Sequence, residues 1–217
     1  MKPRIVTLAA ALVLTFILAP RADVRAQDGH EFAPLQEKQV DYKDWTFKSL
    51  KDDTPVNLRQ WADGKKLVLV VYFASWCKNW RYEAPVLAKL YEKYNPHGLD
   101  VIAVSEYATR DDVRKFFGDG DAPYTVVIES ESNEARDKTT HYTYRQACGD
   151  KRNWGSPFNV FLEPATLKKE GAVLTEKAWV VGGELIEKDV DKFIRQRLGL
   201  EKEGDKPATE TKRESKL

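Results

Sequence analysis

The chain has 217 residues, with 35 Lys or Arg against 34 Asp or Glu, so its formal net charge is +1 at pH 7. Charged residues of both signs make up 32% of the sequence without a basic cluster, which argues against nucleic acid or an anionic membrane surface as the partner. This length suits one domain with a single core, and the sequence contains no internal repeat.

The N-terminus has the pattern of an export signal. Lys2 and Arg4 precede an apolar run over residues 5–19, which is shorter than the roughly 20 residues of a membrane-spanning helix. Val24-Arg25-Ala26 follows as an acceptable cleavage site, so we predict a signal peptide over residues 1–26; an uncleaved anchor is the alternative. Its removal takes away four basic residues and one acidic residue, which brings the net charge to about −2. The mature protein is then periplasmic or secreted.

The mature chain begins with a predicted leader over residues 27–40 and a short hairpin. Residues 44–47 and 55–58 are apolar-rich stretches on either side of the polar segment 51–54, a pattern that predicts two short antiparallel strands.

The centre of the chain is an apolar run followed by a cysteine and a predicted helix. Leu67 to Phe73 are seven consecutive apolar residues, as in a strand buried on both faces of a sheet. Apolar positions then recur at helical spacing at Val86, Leu87, Leu90, Tyr91 and Tyr94. Cys77 therefore lies near a helix N-terminus, where free backbone N–H groups, together with Lys78 and Arg81, favour the reactive thiolate.

The segment FASWCKNWRYEAP around this cysteine resembles the active site of thioredoxin-like proteins. It is most similar to the TlpA/ResA group of thiol-disulfide oxidoreductases, whose pattern is W-C-x-x-C-x-x-E-x-P. Trp76, Cys77, Glu83 and Pro85 match that pattern, whereas Trp80 stands in place of its second cysteine.

The order of the remaining elements completes an α/β pattern. We predict strands at 99–105, 124–128, 158–162 and 178–181, and helices at 111–117, within 131–149 and at 184–198. Alternation of strands and helices indicates a parallel core with right-handed crossovers. From Glu201 the chain is charged and poor in apolar residues, so residues 200–217 are predicted to be a disordered tail.

A second resemblance lies at Gly155-Ser156-Pro157, since thioredoxin-like folds carry a cis-proline at the start of this strand, facing the active cysteine. The two matches span roughly residues 41–198. They imply a thioredoxin-like domain over 41–199, with a central mixed sheet flanked by helices, an N-terminal β-hairpin and a cis-proline before a central strand. The surface beside Cys77 that binds substrate would then contain Trp76, Trp80, Ser156 and Pro157, with Trp80 partly buried.

The missing second cysteine leaves the chemistry open. Dithiol exchange needs a second thiol to release the mixed disulfide, and Cys148 is the only other cysteine. Ala147-Cys148-Gly149 resembles a family segment that passes beside the active cysteine, which implies that Cys148 can reach Cys77. A bond between them would be redox-active or structural; the alternative is two separate thiols.

The resemblance assigns Glu83 to the tuning of thiol protonation, although a glutamate near a helix N-terminus also occurs for stability alone. We therefore predict thiol-disulfide exchange through Cys77, with Glu83 and Cys148 as further catalytic residues. The predicted partners are thiols or disulfides of client proteins and a redox donor protein. No cofactor or metal is predicted, because the three histidines are dispersed and lack usual zinc-ligand spacing.

Two other functions remain open. One is a thioredoxin-fold module that binds proteins without redox chemistry, since fold does not imply function. The other is a peroxiredoxin-like peroxidase, whose motif has a threonine three residues before the cysteine and a proline further upstream. Those positions hold Ala74 and Val70 in this sequence.

Overall fold

A computed structural model describes residues 25–27, 29–118, 122–134 and 136–201. The predicted signal peptide, apart from its last two residues, and the predicted tail beyond residue 201 lie outside these ranges. Within them, no helix is both long and apolar enough to cross a membrane.

The strands in chain order are β1 (Arg25–Gln27), β2 (His30–Ala33), β3 (Gln36–Lys43), β4 (Thr46–Ser49), β5 (Pro55–Asn57), β6 (Leu67–Phe73), β7 (Leu99–Ser105), β8 (Thr125–Ile128), β9 (Phe158–Leu162), β10 (Val173–Val181) and β11 (Glu184–Leu185). The α-helices are α1 (Leu58–Ala62), α2 (Lys78–Tyr94), α3 (Arg110–Phe117), α4 (Thr140–Ala147) and α5 (Glu187–Leu198). Three short 3₁₀ turns lie at Asn95–His97, Arg136–Lys138 and Pro164–Thr166.

Eight strands form one mixed sheet in the order β3-β10-β9-β6-β7-β8-β4-β5. Strands β6, β7 and β8 are parallel, and every other neighbouring pair is antiparallel. The predicted thioredoxin-like α/β fold is therefore confirmed, including the hairpin β4-β5 and the cis peptide bond between Ser156 and Pro157.

Strand β6 separates two apolar cores because its successive side chains point to opposite faces of the sheet. Leu67, Leu69, Val71 and Phe73 pack on one face with residues of α2, α3 and α5. The intervening side chains of β6 pack on the other face with residues of α1 and α4. All seven residues are buried, as the unbroken apolar run predicts.

The structure differs from the sequence predictions near both ends of the domain. Strand β3 pairs with β10, so the folded part begins before the predicted boundary at residue 41. Strand β10 starts at Val173 instead of residue 178. The last helix starts at Glu187 and not at residue 184, because β11 forms a small sheet with β2 at that point.

Candidate functional site

Cys77 lies where the chain turns from β6 into α2. Its backbone is extended, and it is the N-cap of the helix, as the change of sequence period predicts. The Cys77 N–H donates to the carbonyl of Ala74 at 2.9 Å, and the Cys77 carbonyl accepts from the N–H of Arg81 at 3.2 Å. These two bonds fix the turn and leave the thiol half-buried at the positive end of a 17-residue helix.

The loop that holds the cis-proline meets the Cys77 turn at two points. The Cys77 thiol donates to the backbone carbonyl of Ser156 with an Sγ to O distance of 3.2 Å. The Ser156 hydroxyl accepts from the N–H of Ala74 at 2.9 Å and is buried. Since Ser156 directly precedes Pro157 in the cis peptide, the structure brings Cys77, Ser156 and Pro157 together, as the resemblance implies.

A buried histidine supports this loop from the other side. The indole N–H of Trp76 donates to the Tyr107 carbonyl at 2.9 Å, and the Tyr107 hydroxyl lies 3.0 Å from His141 Nδ1. His141 Nε2 lies 3.2 Å from the carbonyl of Gly155. Burial lowers the pKa of His141 to about 3, so the ring is neutral at pH 7. It donates from Nε2 to the carbonyl and therefore accepts at Nδ1.

No pattern in the sequence indicates the roles of Tyr107 and His141. Tyr107 has a left-handed backbone, with φ of +58°, which is rare for a residue with a bulky side chain. His141 contacts residues 34 positions before it and 14 positions after it in the chain. A sequence pattern that reads local spacing cannot detect such contacts.

Arg145 packs beneath the same loop. It is buried, pairs with Asp150 at 3.2 Å and donates to the carbonyls of Trp154, at 3.0 Å, and Arg152. Gly155 has φ of +59°, and a Cβ at that position would collide with the Arg145 guanidinium. The glycine therefore lets the loop lie directly against the buried cation.

Glu83 lies on the buried face of α2. Its Oε2 accepts from the N–H of Leu185 at 2.8 Å and from Asn159 Nδ2 at 3.2 Å, whereas Oε1 has no hydrogen-bond partner among the described residues. Burial raises the pKa of Glu83 to about 8, so the carboxyl holds a proton for most of the time at pH 7. Asn159 follows Pro157 by two residues, which connects Glu83 to the cis-proline strand.

The two tryptophans of the motif have opposite environments. Trp76 is 45% exposed beside Cys77, which agrees with the prediction that it belongs to an exposed surface. Trp80 is fully buried, with its ring 4.5 Å from that of Phe73 and 5.8 Å from that of Phe116. The expectation of a partly buried Trp80 is therefore wrong: the side chain fills the core under α2 and offers no surface to a substrate.

Cys148 is not placed beside Cys77. Cys148 is the C-cap of α4 and packs against the core on the α4 face of the sheet. Cys77 packs against the core on the opposite face, under α2. Both cysteines are free thiols in the structure. Burial raises the pKa of Cys148 to about 11, which makes its thiolate scarce at neutral pH.

The family model described as AhpC/TSA matches residues 39–148, just over half of the sequence. The chain belongs to the AhpC/TSA family. The match covers the hairpin, the Cys77 turn and the strands β6 to β8, and ends before the cis-proline loop. A search of curated proteins finds no match to this family member.

Solved structures with the same fold include two thiol:disulfide interchange proteins and a DsbF homologue. A thioredoxin family thiol:disulfide interchange protein from Chlorobium tepidum TLS is 17% identical, with a TM-score of 0.53, over 77% of this chain and 100% of its own. A thiol:disulfide interchange protein from Bacteroides sp. is 21% identical, with a TM-score of 0.52, over 77% and 94%. A DsbF homologue from Corynebacterium diphtheriae is 17% identical, with a TM-score of 0.51, over 84% and 97%. At these identities the likeness establishes the fold of the AhpC/TSA chain.

The site of this AhpC/TSA family member therefore offers one accessible thiol at a helix N-terminus, a backbone carbonyl at the cis-proline and a protonated buried carboxyl. Across the described ranges, no group of three or more His, Cys, Asp or Glu side chains is arranged to hold a metal ion. The accessible thiol, the carbonyl and the buried carboxyl suit chemistry at sulfur.

Proposed function

We propose that the protein carries out thiol-disulfide exchange through a single thiol, that of Cys77, in the manner of the TlpA/ResA group. The observation that carries this proposal is the 3.2 Å contact between Cys77 Sγ and the carbonyl of Ser156, at the cis peptide with Pro157. This contact joins the half-buried thiol to the cis-proline loop, in which Ser156 and Pro157 are themselves buried, so the predicted surface beside Cys77 is formed by Trp76 and not by these two side chains.

The reacting group is the thiolate of Cys77, which lies at the N-terminus of α2. The thiolate attacks one sulfur of a client disulfide; a bond forms between Cys77 and that sulfur as the client bond breaks. The second client sulfur leaves as a thiolate and takes a proton from solvent. The product is a mixed disulfide between Cys77 and the client.

Release of this mixed disulfide requires a second thiol. Trp80 supplies no sulfur and is buried, and Cys148 belongs to the core on the opposite face of the sheet from the one that Cys77 contacts. We therefore assign release to an external thiol, either a low-molecular-weight thiol or a redox donor protein. Resolution by Cys148, which the resemblance suggested, would require this face of the domain to rearrange.

Glu83 contributes by holding a proton close to the cis-proline strand. Its pKa of about 8 means that it changes protonation state in the pH range where thiol exchange takes place. The Glu83 carboxyl accepts hydrogen bonds from Asn159 on β9 and Leu185 on β11. A change in its charge therefore changes the strength of hydrogen bonds to the strands next to the site. The proposed role is to set the pH dependence of the exchange.

We further propose that the protein is exported, on the basis of the apolar segment at residues 5–19. Disulfides of client proteins persist in the periplasm and outside the cell, which provides substrates for this chemistry. Mass measurement of the protein isolated from an expressing bacterium tests this point, with removal of residues 1–26 as the expected result. A full-length protein retained in the cytosol would contradict it.

A binding module without redox chemistry is the second candidate. The observation that favours it is Trp80, which fills the position of the second cysteine with a core side chain. A peroxidase receives less support, because Ala74 stands where the peroxidase motif has a threonine and thus provides no hydroxyl beside the thiol.

The Cys77→Ser variant separates these functions. If exchange is the function, the variant loses all covalent capture of disulfide-containing proteins, and Cys148→Ser, the matched control, captures them normally. Equal covalent capture by Cys77→Ser would contradict the proposal. Non-covalent binding that survives in Cys77→Ser, with no capture by the wild type, would identify a binding module. Consumption of hydrogen peroxide that depends on Cys77 and exceeds its disulfide exchange rate would identify a peroxidase.

A further inference from the structure

The surface around Cys77 contains the two large apolar side chains that are exposed in the described part of the chain. Trp76 is 45% exposed and directly precedes the thiol, and Tyr82 is 38% exposed on the second turn of α2. The half-buried ring of Trp154 meets Trp76 edge to face at 5.3 Å and extends this surface toward the cis-proline loop. Exposed aromatic side chains that cluster at a reactive group are typical of a partner-binding surface.

Three cations accompany these aromatic side chains, and we name them the cationic rim: Lys78, Arg81 and Arg136. Lys78 Nζ lies 5.3 Å from the centre of the Tyr82 ring, and the Arg136 guanidinium lies 5.1 Å from the centre of the Trp154 ring. Arg81 is exposed one helical turn after Cys77, and its guanidinium lies 5.8 Å from the centre of the Phe116 ring on α3. None of the three forms an ion pair with a carboxylate of the described residues.

Several acidic side chains on the elements next to the site already have partners. Asp150 pairs with Arg152 at 2.8 Å and also with Arg145, and Glu31 pairs with Arg152 at 3.1 Å. Glu184 is buried and hydrogen-bonded to His30 Nδ1 at 2.7 Å. Asp137 follows Arg136 in the chain and is exposed, so the positive charge of the cationic rim beside the thiol comes mainly from Lys78 and Arg81.

From this surface we infer the substrate class: a client polypeptide segment that carries Asp or Glu side chains next to its disulfide cysteine. The inference rests on the proposed function of Cys77. Carboxylates of the segment pair with the rim, while its apolar side chains cover Trp76 and Tyr82. A polypeptide fits better than a small anionic disulfide, because it can cover the exposed aromatic side chains and also pair with the cations that lie over them.

The reaction on such a client is the exchange described above. Cys77 forms a disulfide with one client sulfur, and the other client sulfur leaves as a thiolate that takes a proton from solvent. An external low-molecular-weight thiol then attacks Cys77 Sγ, so that the client leaves as a thiol, and a second such thiol frees Cys77 as the external disulfide forms. Attraction between the rim and client carboxylates acts before the bond forms, by raising the rate of productive encounter. Because salt screens such attraction, the preference for acidic clients should weaken as ionic strength rises.

Two disulfide peptides of equal length test this inference on the whole chain. One carries Glu at two positions on each side of its cysteine and the other carries Gln, and the rate of adduct formation on Cys77 is followed by intact mass. We expect the acidic peptide to react about tenfold faster in 20 mM salt, a modest case of electrostatic steering, and the difference to fall to about twofold or less in 1 M salt.

Substitution of charged residues in the cationic rim is the second test of this inference. Lys78→Gln/Arg81→Gln should slow the acidic peptide about fivefold more than it slows the Gln peptide, whose rate reports any change in the reactivity of Cys77 itself. Lys89→Gln, on an exposed position further along α2, is the matched control and should change neither rate.

The outcomes distinguish this inference from the proposed function. If neither peptide reacts at Cys77, the exchange function fails. If both react at the same rate in low salt, the exchange function stands and the acidic substrate class is wrong. An acidic preference that remains after Lys78, Arg81 and Arg136 are all replaced by Gln would show that the rim is not its source. Oxidised glutathione that reacts faster than the acidic peptide would instead identify a site for small disulfides.

Discussion

His141 Nε2 lies 3.2 Å from the carbonyl of Gly155, the residue before the serine whose carbonyl accepts from the Cys77 thiol. This hydrogen bond connects a buried imidazole on α4 with the cis-proline loop. The other ring nitrogen accepts from Tyr107, whose carbonyl holds the indole of Trp76. One side chain thus supports two of the loops that surround the thiol.

Replacement of His141 by Leu should weaken both the fold and the site. The substitution leaves the Gly155 carbonyl without its donor, whereas the Tyr107 hydroxyl keeps Thr139 at 3.3 Å, and a buried unsatisfied group costs about 1–3 kcal/mol. We expect the free energy of unfolding in urea to fall by about 1–3 kcal/mol and the exchange rate of Cys77 to fall in the protein that remains folded. His141→Asn, which keeps a donor and an acceptor, should recover part of both. Full activity and stability in His141→Leu would contradict a positioning role.

The same histidine predicts a loss of stability in acid. The pKa of His141 is about 3 in the folded protein against 6.5 for the ordinary side chain, so below pH 6.5 the unfolded chain takes up a proton that the folded chain does not. Stability from this group is complete above pH 6.5 and decreases as the pH falls toward 3, by at most about 1.4 kcal/mol per pH unit. His141→Asn should show a shallower decrease in urea unfolding between pH 6.5 and 4.

The raised pKa of Glu83 predicts that the free energy of unfolding falls as the pH rises, which is opposite to the effect of His141. Its pKa rises from 4.5 to about 8 on folding, so the folded protein holds a proton that the unfolded chain releases between these values. Its contribution to stability is complete below pH 4.5 and is lost as the pH rises through 8. Between pH 4.5 and 6.5 the two residues change the free energy of unfolding in opposite directions as the pH rises. Between pH 6.5 and 8 only the effect of Glu83 remains of the two.

Glu83→Gln tests this dependence, because Gln keeps an oxygen that accepts from Leu185 and Asn159 but does not titrate. We expect the wild type to lose about 1–2 kcal/mol of unfolding free energy between pH 6.5 and 8, and the variant to lose much less. The rate of Cys77 alkylation, measured over the same range, should also change its pH profile in the variant. Parallel stability curves for the two proteins would show that Glu83 does not titrate in this window.

The central part of the fold is predictable from sequence because its signals are local. Seven consecutive apolar residues rich in valine are typical of a strand with cores on both faces, and β6 is such a strand. The change from strand to helical spacing then places Cys77 at a helix start. Gly155-Ser156-Pro157 is recognisable for the same reason, since its residues are adjacent in the chain.

Elements whose conformation depends on distant partners were missed. Strand β3 has polar residues at most positions and alternates between exposed and buried, and it is a strand because it pairs with β10 more than 130 residues later. Glu184 and Leu185 continue the helical pattern of α5 in sequence, yet they pair with β2. The contacts of His141 with Tyr107 and Gly155 are equally distant in the chain.

Helical spacing in the sequence predicts a buried Trp80, whereas analogy with the missing cysteine predicts a residue at the surface. The buried residues of α2 are Trp80, Glu83, Leu87, Leu90 and Tyr94, which recur at intervals of three and four. This spacing places Trp80 and Glu83 on the apolar face of the helix. The family pattern, in contrast, has an accessible cysteine at this position and therefore predicts a side chain close to the surface.

Cys148→Ser should leave the exchange reaction almost unchanged. Cys148 packs on the face of the sheet opposite to the core that Cys77 contacts, and its pKa of about 11 leaves little thiolate to attack a mixed disulfide at pH 7. We expect the adduct on Cys77 to have the same lifetime in the variant and the wild type, and to shorten in proportion to added dithiothreitol. A longer-lived adduct in Cys148→Ser would show that this thiol resolves it after a rearrangement.

Restoring the family pattern with Trp80→Cys should give a reducible bond with Cys77 at the expense of stability. Trp80 is fully buried against Phe73 and Phe116, so its loss leaves a large cavity and lowers the free energy of unfolding by about 3–5 kcal/mol. The indole N–H has no hydrogen-bond partner among the described residues, which reduces this penalty toward the lower end. Trp80→Ser is the matched control, because it creates nearly the same cavity without a thiol.

Urea unfolding and thiol counting of both variants, with and without reductant, measure the two effects separately. Trp80→Ser and reduced Trp80→Cys should be destabilised to the same extent. Oxidised Trp80→Cys should recover part of the loss, because a disulfide constrains the unfolded chain. It should also reduce insulin disulfides faster than the wild type, since the new thiol can release the mixed disulfide on Cys77. If the folded Trp80→Cys protein keeps both thiols free under oxidising conditions, the first turn of α2 does not have the geometry of a dithiol site, and the likeness of this turn to the TlpA/ResA motif would no longer support exchange chemistry.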